Sequence, residues 1–473
     1  MLFSKANALY LQNSKVTSNA VNDRRKHVDK KQARSTRELA VDALRRWQSS
    51  GVTIDAILNP ELERSGLPAR DRHLATELVN GTLRMRGTLD YILESLYHRD
   101  FQKMPDALRI ILEISLYQLI YTSRIPDYAA INEAVKLGRK INGEEWTKII
   151  NGILRSYLRK KRNIQFPDID TQPALHISAR YSHPLWLVKR WISLYGMKNT
   201  VQLCQANNRT PSYGIRVNRL RTDIDGIVNH FKESDVQYRP SKYLSEFLVL
   251  EKIPALSNDK LFNDGYYSVQ DESAGLVSRL ASPVAGNSVI DLCAAPGGKS
   301  THLSELTGDD IDVLAVDKDE KRLHHVRQSV ERLGLKRIRT VCADAAEYKH
   351  APVDIVLADV PCSGLGVLAK RSDLRWRRSK SQVDAIRKIQ AAIMENAAHL
   401  VKKGGVLIYS TCTIDPEENE KIVEKFLDSH QEFEVENPAE YVDASLVDGG
   451  RYVYTYPHKH QMDGSFCVRM KKS

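Results

Sequence analysis

The sequence predicts a multidomain chain. An all-α bundle over residues 36–162 is followed by a small α/β connector over 163–262 and a doubly wound α/β domain over 263–473, behind a basic, disordered arm of residues 1–35. Three observations predict this. Apolar residues recur at helical spacing through the first third, separated by turns with Gly, Pro or Asn. From about residue 263 buried-strand runs alternate with amphipathic helices, the pattern of a mainly parallel sheet. Near its start, Ser288-Val-Ile290 feeds Asp291-Leu-Cys-Ala-Ala-Pro-Gly-Gly-Lys-Ser300, a strand running into a Gly turn and then a helix. A length of 473 residues leaves room for two to four domains.

Residues 1–35 hold eight Lys/Arg against Asp23 and Asp29, a composition too polar to pack. Ser35-Thr-Arg-Glu38 has the form of a capping box and opens a helix through Leu39, Ala43, Leu44 and Trp47. Helix-period stretches follow at 69–85, 88–97, 106–121, 129–141 and 144–161. The connector mixes a helix at 184–195, a strand at 213–217, a helix near 225–231 and strands near 236–238 and 247–250. In the last domain, strands at 312–316 and 353–358 end in Asp317 and Asp359, and a strand at 337–341 leads to Asp344. Helices occupy 320–333 and 387–401; Gly404-Gly405 stops the second, a strand follows at 406–409, and 466–470 closes the sheet.

Hydrophobic residues make up 42% and charged residues 27%, a soluble globular composition. The net charge of +11 calls for an anionic partner, nucleic acid ahead of membrane. Arg209-Thr-Pro-Ser-Tyr213 and Arg216-Val-Asn-Arg219 are then candidate RNA-facing stretches, although solvated surface is the favoured reading for most of them. Six cysteines (204, 293, 342, 362, 412 and 467) form no C-x-x-C pair, which argues against zinc and against a disulfide scaffold. A reducing, cytoplasmic compartment fits. No metal is expected: His458 and His460 have no carboxylate or Cys pair beside them. No membrane span is expected either, because the most apolar stretch, 108–121, is interrupted by Arg109 and Glu113. The chain is expected to be a monomer.

Four strand ends carry matched groups: the Gly turn with Lys299, then Asp317, Asp344 and Asp359-Val-Pro-Cys362. An acid after the second strand is placed for ribose hydroxyls, and one after the third for an adenine amino group. The turn is neither G-x-G-x-x-G nor a Walker loop, so it suits a methionine moiety better than a phosphate. Together these favour S-adenosylmethionine over NAD. Cys362 and Cys412 follow adjacent strands, which puts two thiols in one pocket. A lone strand-end Cys is usually a small apolar residue; two at ligand-facing ends favour chemistry. The reaction that needs them is methylation of a pyrimidine carbon. Cytosine C5 becomes nucleophilic once a thiolate adds to C6, aided by the positive charge of Lys299 and with Asp359 placed at ring N3. The target base must leave its stack to be reached. The spacing leaves open which cysteine attacks.

These motifs, Asp-Val-Pro-Cys-Ser-Gly, Ser-Thr-Cys-Thr followed by Asp415-Pro-Glu-Glu-Asn419, and residues 458–464 closely resemble the RNA cytosine-C5 methyltransferases. The helices of 36–162 resemble the NusB-like RNA-binding domain, and the whole chain resembles the RsmB (Fmu/Sun) type of the RsmB/NOP family. The resemblance implies a Rossmann-like class I methyltransferase domain acting on 16S rRNA. It also implies Cys412 as nucleophile and Cys362 as the residue assisting product release. S-adenosylmethionine would lie on Cys293, Ala294, Ala295, Pro296, Gly297, Gly298 and Lys299, with Asp317, Asp344 and Asp359. Ser300 stands where Thr is common and Thr413 where Ser is common; neither removes a reacting group. Arg84-Met-Arg86 and the basic residues of 155–162 become candidate RNA contacts. The stretch 370–380 holds six basic residues, one acid and a tryptophan. Lys370, Arg371, Arg375, Arg377 and Arg378 are expected to grip phosphates, with Trp376 stacking on a base. Three rival readings are weighed: the same chemistry on tRNA, a non-catalytic RNA-binding ribosome-assembly factor, and a small-molecule or protein methyltransferase, which would have no use for two thiols and this basic surface.

Overall fold

The computed structural model describes residues 34–473, so nearly all of the expected basic arm lies outside the described residues. The N-terminal bundle consists of α1 (Thr36–Ser49), α2 (Ile54–Arg64), α3 (Ala69–Leu96), α4 (Asp106–Tyr121) and α5 (Asp127–Lys160). The capping box is complete: Ser35 Oγ accepts the Glu38 N–H at 3.2 Å, and the Glu38 carboxylate accepts the Ser35 N–H at 2.9 Å. Leu108, Ile111, Leu112 and Leu116 of α4 are buried against the other helices. The two helices expected at 69–85 and 88–97 are one. Gly87 costs helix propensity, but Trp376 packs on it and tertiary contact prevails. The pattern also missed α2, a short helix with Pro60 inside it. The expected break within α5 is a kink at Asn142 and Gly143, where Gly143 takes φ +69°.

Two helices lead out of the bundle, α6 (Pro173–Tyr181) and α7 (Leu185–Asn208). The second runs well past the expected end at 195, bending at Gly196. The connector follows as β1 (Tyr213–Val217), α8 (Ile224–Glu233), β2 (Tyr238–Pro240), β3 (Phe247–Leu250), α9 (Lys260–Asn263) and β4 (Tyr267–Val269). Its antiparallel sheet has the order β2-β3-β1-β4. The expected boundary at 262 therefore cuts this sheet, whose edge strand β4 lies beyond it.

The last domain runs through α10 (Glu272–Ala281), β5 (Ser288–Asp291), α11 (Gly298–Leu306), β6 (Asp312–Asp317), α12 (Glu320–Leu333), β7 (Ile338–Cys342) and β8 (Val353–Asp359). It continues with α13 (Leu374–Arg377), α14 (Lys380–Leu400), β9 (Val401–Thr411), α15 (Glu420–Ser429), β10 (Phe433–Val435), β11 (Val447–Asp448), β12 (Tyr452–Thr455), α16 (Pro457–His460) and β13 (Ser465–Lys472). The sheet order is β11-β12-β13-β9-β8-β5-β6-β7, with β10 pairing β13. Strands β9-β8-β5-β6-β7 are parallel and β13 is antiparallel. Apolar layers cover both faces, with Leu303, Val313 and Val326 on one and Ile290, Val356 and Met394 on the other. Two expectations fail here. Gly404-Gly405 does not stop a helix; it lies inside β9, where the pairing with β8 shifts register. Strand β13 is interior rather than the closing edge, because β12 and β11 add beyond it. The chain reverses direction across the sheet between β5 and β8, so the crevice outside their C-terminal ends is the expected ligand position.

Among the described residues, no helix is long and apolar enough to cross a membrane, and no cluster of three His, Cys, Asp or Glu side chains is placed to hold a metal.

Candidate active site

The site forms where β5, β6, β8 and β9 end. After β5 the chain makes the turn Cys293–Gly297, pinned by the Ala294 N–H to Val316 O at 2.9 Å and the Gly297 N–H to Ala294 O at 2.7 Å. Gly297 takes φ +100°, and a Cβ there would lie 3.1 Å from Val326 Cγ1, so the turn needs glycine. Helix α11 then starts with no side-chain cap, leaving its first amides available. A Cβ on Gly298 would meet nothing nearer than Gln270 at 3.6 Å, and Gln270 Nε2 is buried without a partner. An open turn, free helix amides and an unused buried donor fit the carboxylate end of an amino-acid moiety.

The acids differ in surroundings. Asp317 is buried; it accepts the Asp319 N–H at 3.0 Å and the Ala295 N–H at 3.3 Å, and Arg322 lies 3.3 Å from its Oδ2. Asp344 is exposed and caps the Ala346 N–H at 2.9 Å. Asp359 accepts from Lys299 Nζ at 2.7 Å and from Ser410 Oγ at 2.6 Å. Burial alone would lower Lys299, but the charge and hydrogen bond of Asp359 outweigh it and hold the ammonium above its ordinary value. Cys412 lies close enough to add to that pull.

The two thiols meet, Cys362 Sγ standing 2.9 Å from Cys412 Sγ and accepting the Cys412 N–H at 3.3 Å. They are not equivalent. The hydrogen bond with Cys412, together with burial, pushes Cys362 well above the usual thiol range, so it stays protonated. Cys412 is the exposed member of the pair. Cys293 belongs to the turn by its backbone; burial and the nearby Asp291, Asp359 and Asp317 push its thiol far up and leave it inert.

Several supporting residues were not picked out as candidates. Glu418 accepts the Ser363 N–H at 2.8 Å and holds the turn that carries Cys362. Asn419 bridges Thr411 Oγ1 at 2.7 Å and Thr413 O at 3.1 Å, on either side of Cys412. Arg190 of α7 forms a two-point ion pair with Asp415. The run Asp415-Pro-Glu-Glu-Asn419, directly after the Thr-Cys-Thr turn, was the signal for Glu418, Asn419 and Asp415; Arg190, 225 residues away, had none. Asp291 is buried, accepts from Ser300 Oγ at 2.6 Å and leaves its Oδ1 without a partner. Desolvation pushes its carboxyl up to about 7.

The expected RNA-gripping stretch is corrected. Arg375 is wholly buried, and Trp376 donates its indole N–H to Leu83 O at 2.6 Å. Arg377 donates to Trp47 O and Val52 O, and its guanidinium stacks 4.8 Å over the Trp47 ring. Lys370 is paired with Asp271 and Asp463, Arg371 lies between Asp55 and Asp373, and Arg378 donates to Ser363 O at 2.8 Å. Trp376 and Arg377 face protein because the helical bundle packs onto the stretch and supplies carbonyls where phosphates were expected, while Lys370 and Arg378 are satisfied within the catalytic domain. Arg84 likewise donates to Ala369 O, and Arg86 donates to Gln48 and Glu113. Arg216 is buried against Glu305 and donates to Gly298 O at 2.7 Å, so it supports the turn and does not face RNA. Arg155 and residues 159–162 remain exposed. A cleft of about 1070 Å³ opens between connector and catalytic domain, with Arg209, Arg239 and Lys252 on its walls.

Three family models match the chain. That of the 16S rRNA methyltransferase RsmB/F matches residues 279–471, that of the NusB family 34–159, and that of an RsmF/B-like ferredoxin-like domain 183–256. A probable ribosomal RNA small subunit methyltransferase B of Synechocystis is 35% identical over 93% of this chain and 100% of its own length. Its Bacillus subtilis counterpart is 32% identical over 93% and 99%. Among solved structures, PH0851 superposes with a TM-score of 0.77 at 25% identity, covering 92% of this chain and 98% of that one. NSun6 from Pyrococcus horikoshii, solved with SFG, gives 0.55 at 23% identity over 60% and 97%, a likeness of fold.

Proposed function

Because the chain belongs to the RsmB/F family of 16S rRNA methyltransferases, we propose that it methylates C5 of a cytosine in 16S rRNA through a covalent Cys412–C6 adduct. The observation that carries this reading is the pair of thiols 2.9 Å apart beside the Lys299–Asp359 ion pair. Methylation of an exocyclic nitrogen or of a ribose hydroxyl has no use for two thiols.

S-Adenosylmethionine would be held by the turn Cys293–Gly298 and Lys299, with Asp317 and Asp344 toward ribose and adenine, and it supplies an electrophilic methyl group. The chain's own residues do the rest. Cys412, as thiolate, adds to C6, and electron density passes into the ring toward C5. As the ring gains charge, N3 takes a proton relayed by Asp359 from the Lys299 ammonium paired with it, and gives it back when the ring is restored. After C5 has been alkylated, its proton passes to water, the electrons of that C–H bond form the C5–C6 double bond, and the Cys412–C6 bond breaks with its electron pair returning to sulfur. Cys362, kept as a thiol beside the leaving sulfur, serves that last step by giving Cys412 a hydrogen-bond partner as it departs. The Glu418 and Asn419 contacts fix both cysteine turns, which favours one productive geometry.

The test compares wild type, Cys412→Ala and Cys362→Ala on 16S rRNA and tRNA lacking the modification, with a labelled methyl donor. Wild type is expected to form 5-methylcytosine in 16S rRNA. Cys412→Ala should form neither product nor adduct, and Cys362→Ala should accumulate an adduct on a denaturing gel. An adduct that needs Cys362 instead reverses the assignment, and methylation of tRNA alone moves the substrate.

A further inference from the structure

Arg375 is a buried cation with no carboxylate among its partners. Its guanidinium donates to Arg84 O of α3 at 3.0 Å, to Ser182 O after α6 at 3.0 Å, to Asn207 O and Asn208 Oδ1 at the end of α7 at 3.1 and 2.8 Å, and to Leu368 O at 3.4 Å. The bundle, the helices leading to the connector and the catalytic domain therefore meet on one side chain. The carbonyl end of α7 is a favourable place for a cation. The contacts continue on both neighbours. Asp373 accepts the Ile54 N–H of α2 at 3.3 Å, and Trp376 and Arg377 hold Leu83, Trp47 and Val52. Arg378 then turns the other way and donates to Ser363 O at 2.8 Å. Ser363 follows Cys362 directly, and its hydroxyl lies 3.0 Å from Thr413 Oγ1, next to Cys412.

We propose that 373–378 is a strut by which the N-terminal helical domain holds the two cysteine turns, with Arg378 as a positioning residue for methyl transfer. The strut reaches the cysteine turns through the Arg378 bond to Ser363 O and through Leu374, which packs against Gly364, and it does not touch substrate. A side chain that fixes a carbonyl beside the reacting turn acts on the rate of the chemical step, not on the capture of either substrate. The inference rests on the reading of Cys362 and Cys412 as the reacting pair.

The experiment uses the full chain carrying Arg378→Gln, Arg378→Lys or Arg377→Ala. It measures kcat, KM for the methyl donor, KM for 16S rRNA, melting temperature and covalent adduct. Arg378→Gln should lower kcat about tenfold to hundredfold with both KM values and the melting temperature near wild type. Arg378→Lys, which keeps one donor toward Ser363, should recover most of that loss. Arg377→Ala, at the bundle end, should lower kcat in the same direction by a smaller factor. A wild-type kcat for Arg378→Gln overturns the proposal, as does a defect confined to KM for RNA, which would make Arg378 an RNA contact. If no adduct forms with any variant, including Cys362→Ala, the covalent reading fails; the kcat of Arg378→Gln still decides the strut.

Discussion

At the residue scale, identical side chains take different work from their surroundings. Cys362, Cys412 and Cys293 lie around one crevice. The Cys412 hydrogen bond and burial push the Cys362 thiol up, burial does the same to Cys293, and Cys412 is the exposed one. The acids divide the same way: Asp359 stands on an ion pair, while Asp291 is buried and pushed up to about 7. That shift has a consequence for stability. The folded state holds a proton on Asp291 up to about pH 7, whereas an unfolded chain releases it near pH 4. The stabilisation is complete below about pH 4 and is lost as the pH climbs to 7. Asp291→Asn, which stays neutral, should therefore flatten the fall in melting temperature between pH 5 and 8 by about a few degrees. Thermal melts at the two pH values check this, and parallel profiles for the two proteins would refute it.

At the element scale, strand ends place the site and the loops after them set its tolerance. The Gly turn, Asp317 and Asp359 were legible because each follows a strand of recognisable pattern, and a parallel sheet puts all such ends on one side. Loop packing was not legible. Gly366 lies in the turn after Cys362, where a Cβ would stand 1.9 Å from Gly464 O and 2.9 Å from Cys412 O. Backbone cannot give way cheaply there, so Gly366→Ala should cost about 1–3 kcal/mol of stability. It should also reduce methyl transfer at least tenfold by moving the nucleophile's turn. Denaturant unfolding and a single-turnover assay on the same preparation separate the two effects, and a fully active, equally stable variant would show the loops to be slack. The misread elements share a cause. The unbroken α3 at Gly87 and the glycines inside β9 depend on neighbours from distant parts of the chain, which a local pattern does not contain.

At the scale of the whole molecule, the net charge of +11 needs a surface to act through, and the structure redistributes it. The basic stretch beside the active site is spent on internal carbonyls and carboxylates. Arg155, Arg159, Lys160, Lys161 and Arg162 at the end of the bundle stay exposed. Replacing Arg159, Lys160 and Arg162 by Gln should weaken RNA binding and reduce the slope of log affinity against log salt by about one for each phosphate no longer neutralised. Titrations of 16S rRNA at several salt concentrations measure this, and an unchanged slope would place the RNA elsewhere, for example along the cleft beside Arg209 and Arg239. The sequence by itself determined the order of domains, the Gly turn, the strand-end acids and the two cysteines. These depend on spacing along the chain and on the periodicities of helix and strand, which are local. Only the tertiary structure decided that the two thiols would meet 2.9 Å apart with Cys412 the exposed one, and that Arg375–Arg377 would join domains instead of gripping RNA. Arg375 meets Arg84 across 291 residues of chain. Whether a cation meets a phosphate or a carbonyl is set by what packs opposite it, and spacing along the chain does not encode that.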